Sequence, residues 1–228
     1  LNPAAAESDS PPEVSRVSPI KPRAVFQVFG ENLEHSEIHV WQLETGEERP
    51  ALGQPALPKS PPQSARRISP LLRHGRILYA ESGRLRGTAV LWLENGSGLS
   101  KPRCVNRPVL WNQSAERAMP GERFQIFGQN LHFKYTGRPW CMLKDVEKGR
   151  EYEAVWGRVQ TQGMPHQKPF KMEVMMPKDI PPGEYELFVH NGTGGVYGWS
   201  DPISVEILAK RDLIGMASMA WTRLNMEV

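Results

Sequence analysis

The sequence carries the same unit twice. AVFQVFGENL spans Ala24 to Leu33 and ERFQIFGQNL spans Glu122 to Leu131, an offset of 98 residues. A second pair follows in the same order, GTAVLWLENGSG from Gly87 to Gly98 and GEYELFVHNGTG from Gly183 to Gly194, at an offset of 96. Two separated matches at nearly equal offset define two copies of one unit, each about 95 residues long. The seam falls near Arg103 to Pro108. The copies close on Ser100-Lys101-Pro102 and Ser200-Asp201-Pro202.

Each copy reads as strands. Phe124 and Ile126 alternate with Gln125, as a half-buried strand requires, and Ile203, Val205 and Ile207 alternate with Ser204 and Glu206. Further strands are predicted at 38–43, 76–80 and 88–93 in the first copy, and at 152–156, 170–175 and 185–190 in the second. Gly30 and Gly128, each before an Asn-Leu pair, read as turns or bulges with positive φ. Glycine and proline make up 20 and 21 of the 228 residues, and they lie between the apolar stretches, where turns belong. No segment before residue 209 has a helical period. Short strands, frequent turns and ~100-residue units predict an all-β chain of two immunoglobulin-like β-sandwiches. The reading divides the chain into a flexible lead-in (1–12), a first sandwich (13–105), a second (106–208) and a methionine-rich tail (209–228). The proline-rich stretch from Pro50 to Pro70 reads as a long surface loop. The predicted cores are Phe26, Val28, Ala89, Leu91 and Leu93 in the first copy, and Phe124, Ile126, Tyr185, Leu187 and Val189 in the second. The tail is expected to pack against the second copy, form a short helix or bridge to another chain.

Charge and cysteine content narrow the function classes. A net charge of +3, with no basic run longer than Arg66-Arg67 or Lys210-Arg211, gives no phosphate-binding face, so nucleic acid is not the expected partner. Cys104 and Cys141 have no CxxC or histidine spacing for zinc, and two buried free thiols are the expected state. No stretch approaches the ~20 apolar residues of a membrane helix. The six histidines show no metal or catalytic spacing. Glu184 and Glu186 share one face of a strand, without a partner that would tune either one. The expected metal and cofactor content is therefore none, and no catalytic residue is assigned.

The residues also carry a family resemblance. PGERFQIFGQNL at Pro120 to Leu131, with MPKDIPPGEYELFVHNGTGGVYGWSDPISVEI at Met176 to Ile207, resembles the immunoglobulin-like modules called IPT/TIG domains. More narrowly, it is similar to the modules ahead of the right-handed β-helix in bacterial secreted pectate-lyase-like polysaccharide lyases and glycoside hydrolases. The closing signature there is matched by His190-Asn191-Gly192, Gly194-Gly195 and Gly198-Trp199-Ser200. The resemblance covers the second copy well and the first weakly, since the first lacks Gly-Trp-Ser. It implies a non-catalytic accessory region of an extracellular or cell-surface protein, its signal already removed, that spaces or docks a β-helix catalytic domain. The residues after 209 do not continue into that domain. The alternatives are a cell-surface protein-interaction or adhesion module and, behind it, a DNA-contacting TIG domain.

Sugar rings present apolar C–H faces to aromatic rings and hydroxyls to amides and carboxylates. The carbohydrate-binding candidates are therefore Trp199, Tyr197, Asn191, Trp140 and Trp156, with Tyr135 nearby, set against the competing expectation that Trp199 plugs a core. Arg138, Lys168 or Lys171 would hold an acidic polymer such as pectate. Trp111 and Trp41 read as packing residues. Asn95, Asn112 and Asn191 match glycan-acceptor sequences, although Asn-Gly is equally a turn signal.

Overall fold

The computed structural model describes residues 10–43, 48–132, 137–156 (without the Trp156 side chain) and 170–209. The tail from 210 onward, Tyr135 and Lys168 lie outside the described residues. The chain is all-β, and among the described residues the only helical turn is a short 3₁₀ segment, Gly195–Gly198. By contacts it divides into two compact units.

The first unit comprises residues up to Arg107, together with Phe133–Arg138 and Asn191–Trp199. Its strands are β1 (Glu13–Val17), β2 (Val25–Glu31), β3 (Glu37–Gln42), β4 (Arg66–Ile68), β5 (Leu72–His74), β6 (Ile77–Glu81), β7 (Ala89–Asn95), β8 (Gly98–Leu99) and β9 (Arg103–Val105). One sheet has the order β1-β2-β6-β5, the other β4-β3-β7-β8, with β9 also on β7. Alternation along β2 and β6 turns Phe26, Val28, Leu78 and Ala80 inward, where they meet Ile38, Val40, Leu91 and Leu93 of the other sheet in one core. Strand β7 is buried on both faces, and Trp92, on the side away from Leu91 and Leu93, donates its indole N–H to the Pro58 carbonyl at 3.2 Å. The proline-rich stretch is a surface loop from Pro50 to Ala65, as expected, but one tied down: its Pro58 carbonyl satisfies that buried indole and its end runs into β4 on the edge of β3. Ser10 and Pro11 are likewise tied down, their carbonyls accepting from the Asn95 and Asn32 amides.

The second unit comprises Pro108–His132, Pro139–His190 and the residues from Ser200 onward. It contains β10 (Val109–Gln113), β11 (Arg117–Ala118), β12 (Arg123–Gln129), β13 (Trp140–Asp145), β14 (Glu151–Trp156), β15 (Lys171–Met175), β16 (Gly183–His190) and β17 (Ile203–Ile207). These run β10-β12-β15-β14-β13-β16-β17-β11. Strand β14 joins the two halves of this order: its first residues pair with β13, and Val155 and Trp156 pair with β15. Phe124, Ile126, Tyr185, Leu187 and Val189 lie in one core, with Cys141, Leu143, Val174 and Val205.

The same hydrogen-bonded devices occur in both units. Ser18 N–H donates to the Gln27 carbonyl while its Oγ accepts from Gln27 N–H, and Ser114 does the same with Gln125. Ser100 clamps Leu93 through both backbone groups, and Ser200 clamps Val189. Gly30 and Gly128 are not the positive-φ residues the sequence suggests. The left-handed positions are Asn32 (φ 55°) and Asn130 (φ 58°). Glycine is required because a Cβ would run into the Glu13 or Val109 carbonyl oxygen of the neighbouring strand.

Both cysteines are free, Cys104 half-buried and Cys141 buried. Burial pushes the Cys104 thiol up to about 11 against the opposing charge of Arg107, and raises Cys141 as well. At pH 8 Cys104 should therefore react with an aromatic disulfide reagent about a hundredfold more slowly than a small thiol, from thiolate fraction alone. The folded state keeps this proton where the unfolded chain has released it, so stability should fall as pH rises from about 9 to about 11. Fast labelling of the native protein at pH 8 would contradict this.

Candidate functional site

In the first unit, the glycine-rich loop supplies structure in place of an exposed platform. Asn191 is fully buried. Its Nδ2 donates to Thr88 Oγ1 and to the Asn106 carbonyl, both at 2.9 Å, and its Oδ1 accepts from Thr193 N–H and from Thr193 Oγ1 at 2.7 Å. Thr88 N–H donates to Thr193 Oγ1, closing the network. Gly194 (φ 87°) sits where a Cβ would strike the Thr88 side chain, so backbone conformation and space both demand glycine. Trp199 is fully buried, and its indole N–H donates to the Ala51 carbonyl at 3.0 Å. Tyr197 is half-buried, its ring edge-on to Trp41 at 6.2 Å.

The remaining sequence candidates divide similarly. In the second unit Trp140 is 3% exposed and packs edge-on against His190. The Trp156 side chain lies outside the described residues. Arg138 is exposed in the first unit, and Lys171 of the second lies over the Phe127 ring. Asn95 follows the turn reading, its Oδ1 accepting from Ser97 and Gly98 N–H. Among the described residues no cluster of three potential metal ligands occurs.

Trp111, expected from the sequence to pack, is held by one neighbouring ring yet is largely exposed. Pairing of β10 with β12 slips between Leu110 and Asn112, so Trp111 is the extra residue of a β-bulge. A bulge re-aims the residue it carries, and Trp111 is 58% exposed. Its ring stacks on Phe170 at 5.9 Å and 16°, which fixes its orientation while leaving the ring accessible. The first unit has the same slip between Val14 and Arg16, but the residue there is Ser15.

Beside Trp111 the chain leaves β10 for β11, which pairs parallel with β17. An open cleft of about 570 Å³ lies at this crossing, lined among others by Trp111, Gln113, Arg117, Glu184, Ser204 and Glu206. Tyr185, Val205 and Ile207 point into the core, so the alternate residues Glu184, Ser204 and Glu206 face outward. Glu184 stands opposite Glu206 in register, and Arg117 Nε lies 2.7 Å from Glu206 Oε2. Gln113 Nε2 donates to the Ser204 carbonyl at 2.8 Å, and its Oε1 is buried with no donor. The cleft sets one exposed aromatic face beside a mainly polar lining, which offers a ligand ring a stacking surface and hydrogen-bond partners.

No family model matches the chain. No curated protein matches it either. Among solved structures, one determined with a xylogluco-oligosaccharide matches 90% of this chain and 40% of its own, at 16% identity and TM-score 0.37. SGBP-B from a xyloglucan utilization locus of Bacteroides uniformis matches 86% of this chain and 48% of its own, at 14% identity and TM-score 0.30. The plexin A4 extracellular region matches 92% of this chain and 17% of its own, at 12% identity and TM-score 0.33. The chain thus spans less than half the length of each, and the likeness is too slight to bear on what it binds.

Proposed function

We propose that the chain is a non-catalytic, glycan-binding accessory region of an extracellular or cell-surface polysaccharide-active protein, built from two tandem immunoglobulin-like sandwiches. The binding reading rests on one observation: Trp111 is held face-on by Phe170, with its ring exposed, beside a cleft lined by amides, a hydroxyl and carboxylates. That geometry suits a sugar ring, whose apolar face stacks while its hydroxyls reach the polar groups. The immunoglobulin-like reading is supported by an opening segment that pairs antiparallel with β12 and then switches sheets to run parallel with β17. The matching serine clamps and bulges of the two units support a tandem repeat. In the full-length protein the region would space or dock a β-helix catalytic domain, as the sequence resemblance implies.

A single exposed aromatic and a few hydrogen bonds give weak binding, with Kd roughly micromolar to millimolar. Affinity electrophoresis against a panel of soluble polysaccharides should show retardation of the native chain. Trp111→Ala should lose it about tenfold or more while lowering stability by no more than about 1.5 kcal/mol, the scale of the lost stack on Phe170. Retardation that persists unchanged in folded Trp111→Ala would overturn the assignment.

A further inference from the structure

We infer that the Trp111 cleft selects an uncharged polysaccharide and rejects uronate-rich polymers; this rests on the glycan-binding reading above. Four charged side chains line the cleft among the described residues: Glu116, Arg117, Glu184 and Glu206. The one cation, Arg117, is committed to Glu206 at 2.7 Å. Glu116 and Glu184 keep their carboxylates without a partner among the described residues, and Glu184 stands across the strand pair from Glu206. The lining therefore carries three negative charges and one positive.

The chemistry of the lining discriminates between two kinds of sugar. Carboxylates, the Asn112 amide oxygen and the Ser204 hydroxyl all accept hydrogen bonds from sugar hydroxyls. A uronate brings a carboxylate among carboxylates, and like charges this close repel even after partial screening. This departs from the expectation that Arg138, Lys168 or Lys171 would hold an acidic polymer: neither Arg138 nor Lys171 is among the described residues that line the cleft, and Lys168 lies outside the described residues.

The salt dependence then has a definite sign. Cations holding an acidic polymer lose affinity as salt rises. A cleft that repels it gains affinity, because screening weakens the repulsion.

The test is calorimetric titration of the native chain, Trp111→Ala and the double variant Glu116→Gln/Glu184→Gln with cello-oligosaccharides and with oligogalacturonates, at low and high salt. Trp111→Ala subtracts binding that arises elsewhere from the net charge of +3. We expect Trp111-dependent binding of the neutral oligosaccharide, unchanged within about twofold by salt and retained in the double variant with at most a several-fold loss, since a glutamine carbonyl still accepts from a hydroxyl but without the charge. The oligogalacturonate should bind at least tenfold more weakly, gain affinity with salt, and gain several-fold in the double variant. Trp111-dependent binding of oligogalacturonate that equals or exceeds the neutral ligand and falls with salt would overturn this inference and leave glycan binding standing. No Trp111-dependent binding of either ligand, joined by none on the wider panel, would overturn both.

Discussion

Leu187→Ala is expected to lower the unfolding free energy by about 2–5 kcal/mol, the cost of removing a fully buried leucine and leaving a cavity behind. Leu187 lies in β16, between β13 and β17, with Leu143 and Ile203 as its register partners. Its side chain is 0% exposed and belongs to the core that includes Phe124, Ile126, Tyr185 and Val189. Pairing on both sides of the strand prevents the backbone from closing over the gap, which places the loss in the upper part of that range. Urea denaturation followed by fluorescence measures it as a shift of the midpoint at unchanged slope. A loss under about 0.5 kcal/mol would mean that the face assignment of β16 is inverted. The neighbouring Glu186→Ala provides the control: it faces outward, and its effect should stay within about 0.5 kcal/mol.

The sequence made the inward faces readable in several strands with one face toward water. Strands β2, β12 and β17 alternate strictly, and their inward apolar residues were legible; β1 and β10 were missed, because a bulge interrupts each. Strand β13 was not, because Trp140, Cys141, Met142 and Leu143 are all buried, and a strand covered on both faces shows no period of two. The short strands β4, β5, β8, β9 and β11 have two or three residues each, too few for a pattern.

Errors at the candidate site have a different origin. Whether Trp111 packs or projects depends on a bulge, and a bulge is defined only by the partner strand. One signal was nonetheless present: Trp111 aligns with a polar residue of the first copy, Glu13 at the offset of 98 set by the adjacent match and Ser15 by the position of the bulge. A core position would have kept an apolar residue in both copies. The loop Asn191–Trp199 left two readings open, a binding loop and a core plug, and the burial of Asn191 and Trp199 fits the second. Its glycines and amides resemble a binding loop locally, while its hydrogen-bond partners Thr88, Asn106 and Ala51 lie 103, 85 and 148 residues away in sequence.

Trp199→Ala should be at least as damaging as Leu187→Ala, costing about 3–5 kcal/mol as large aromatic truncations in cores do. The ring is 0% exposed, and its removal also strips the donor from the Ala51 carbonyl. Trp199→Phe separates the two contributions, because it retains most of the apolar volume and loses only the hydrogen bond. Ala51 is exposed, so its carbonyl can turn to water and the lost hydrogen bond costs only about 0.5–1.5 kcal/mol, which places the phenylalanine variant between the native chain and Trp199→Ala. Neither variant should alter the Kd for a neutral oligosaccharide by more than about twofold, provided it is measured where the protein remains folded. Trp111→Ala should show the converse pattern, with binding lost and stability largely kept. The paired measurement decides which tryptophan serves the fold and which serves the ligand. A Trp199→Ala variant that is folded, nearly as stable as the native chain and unable to bind glycan would reverse the assignment and return the site to the glycine-rich loop.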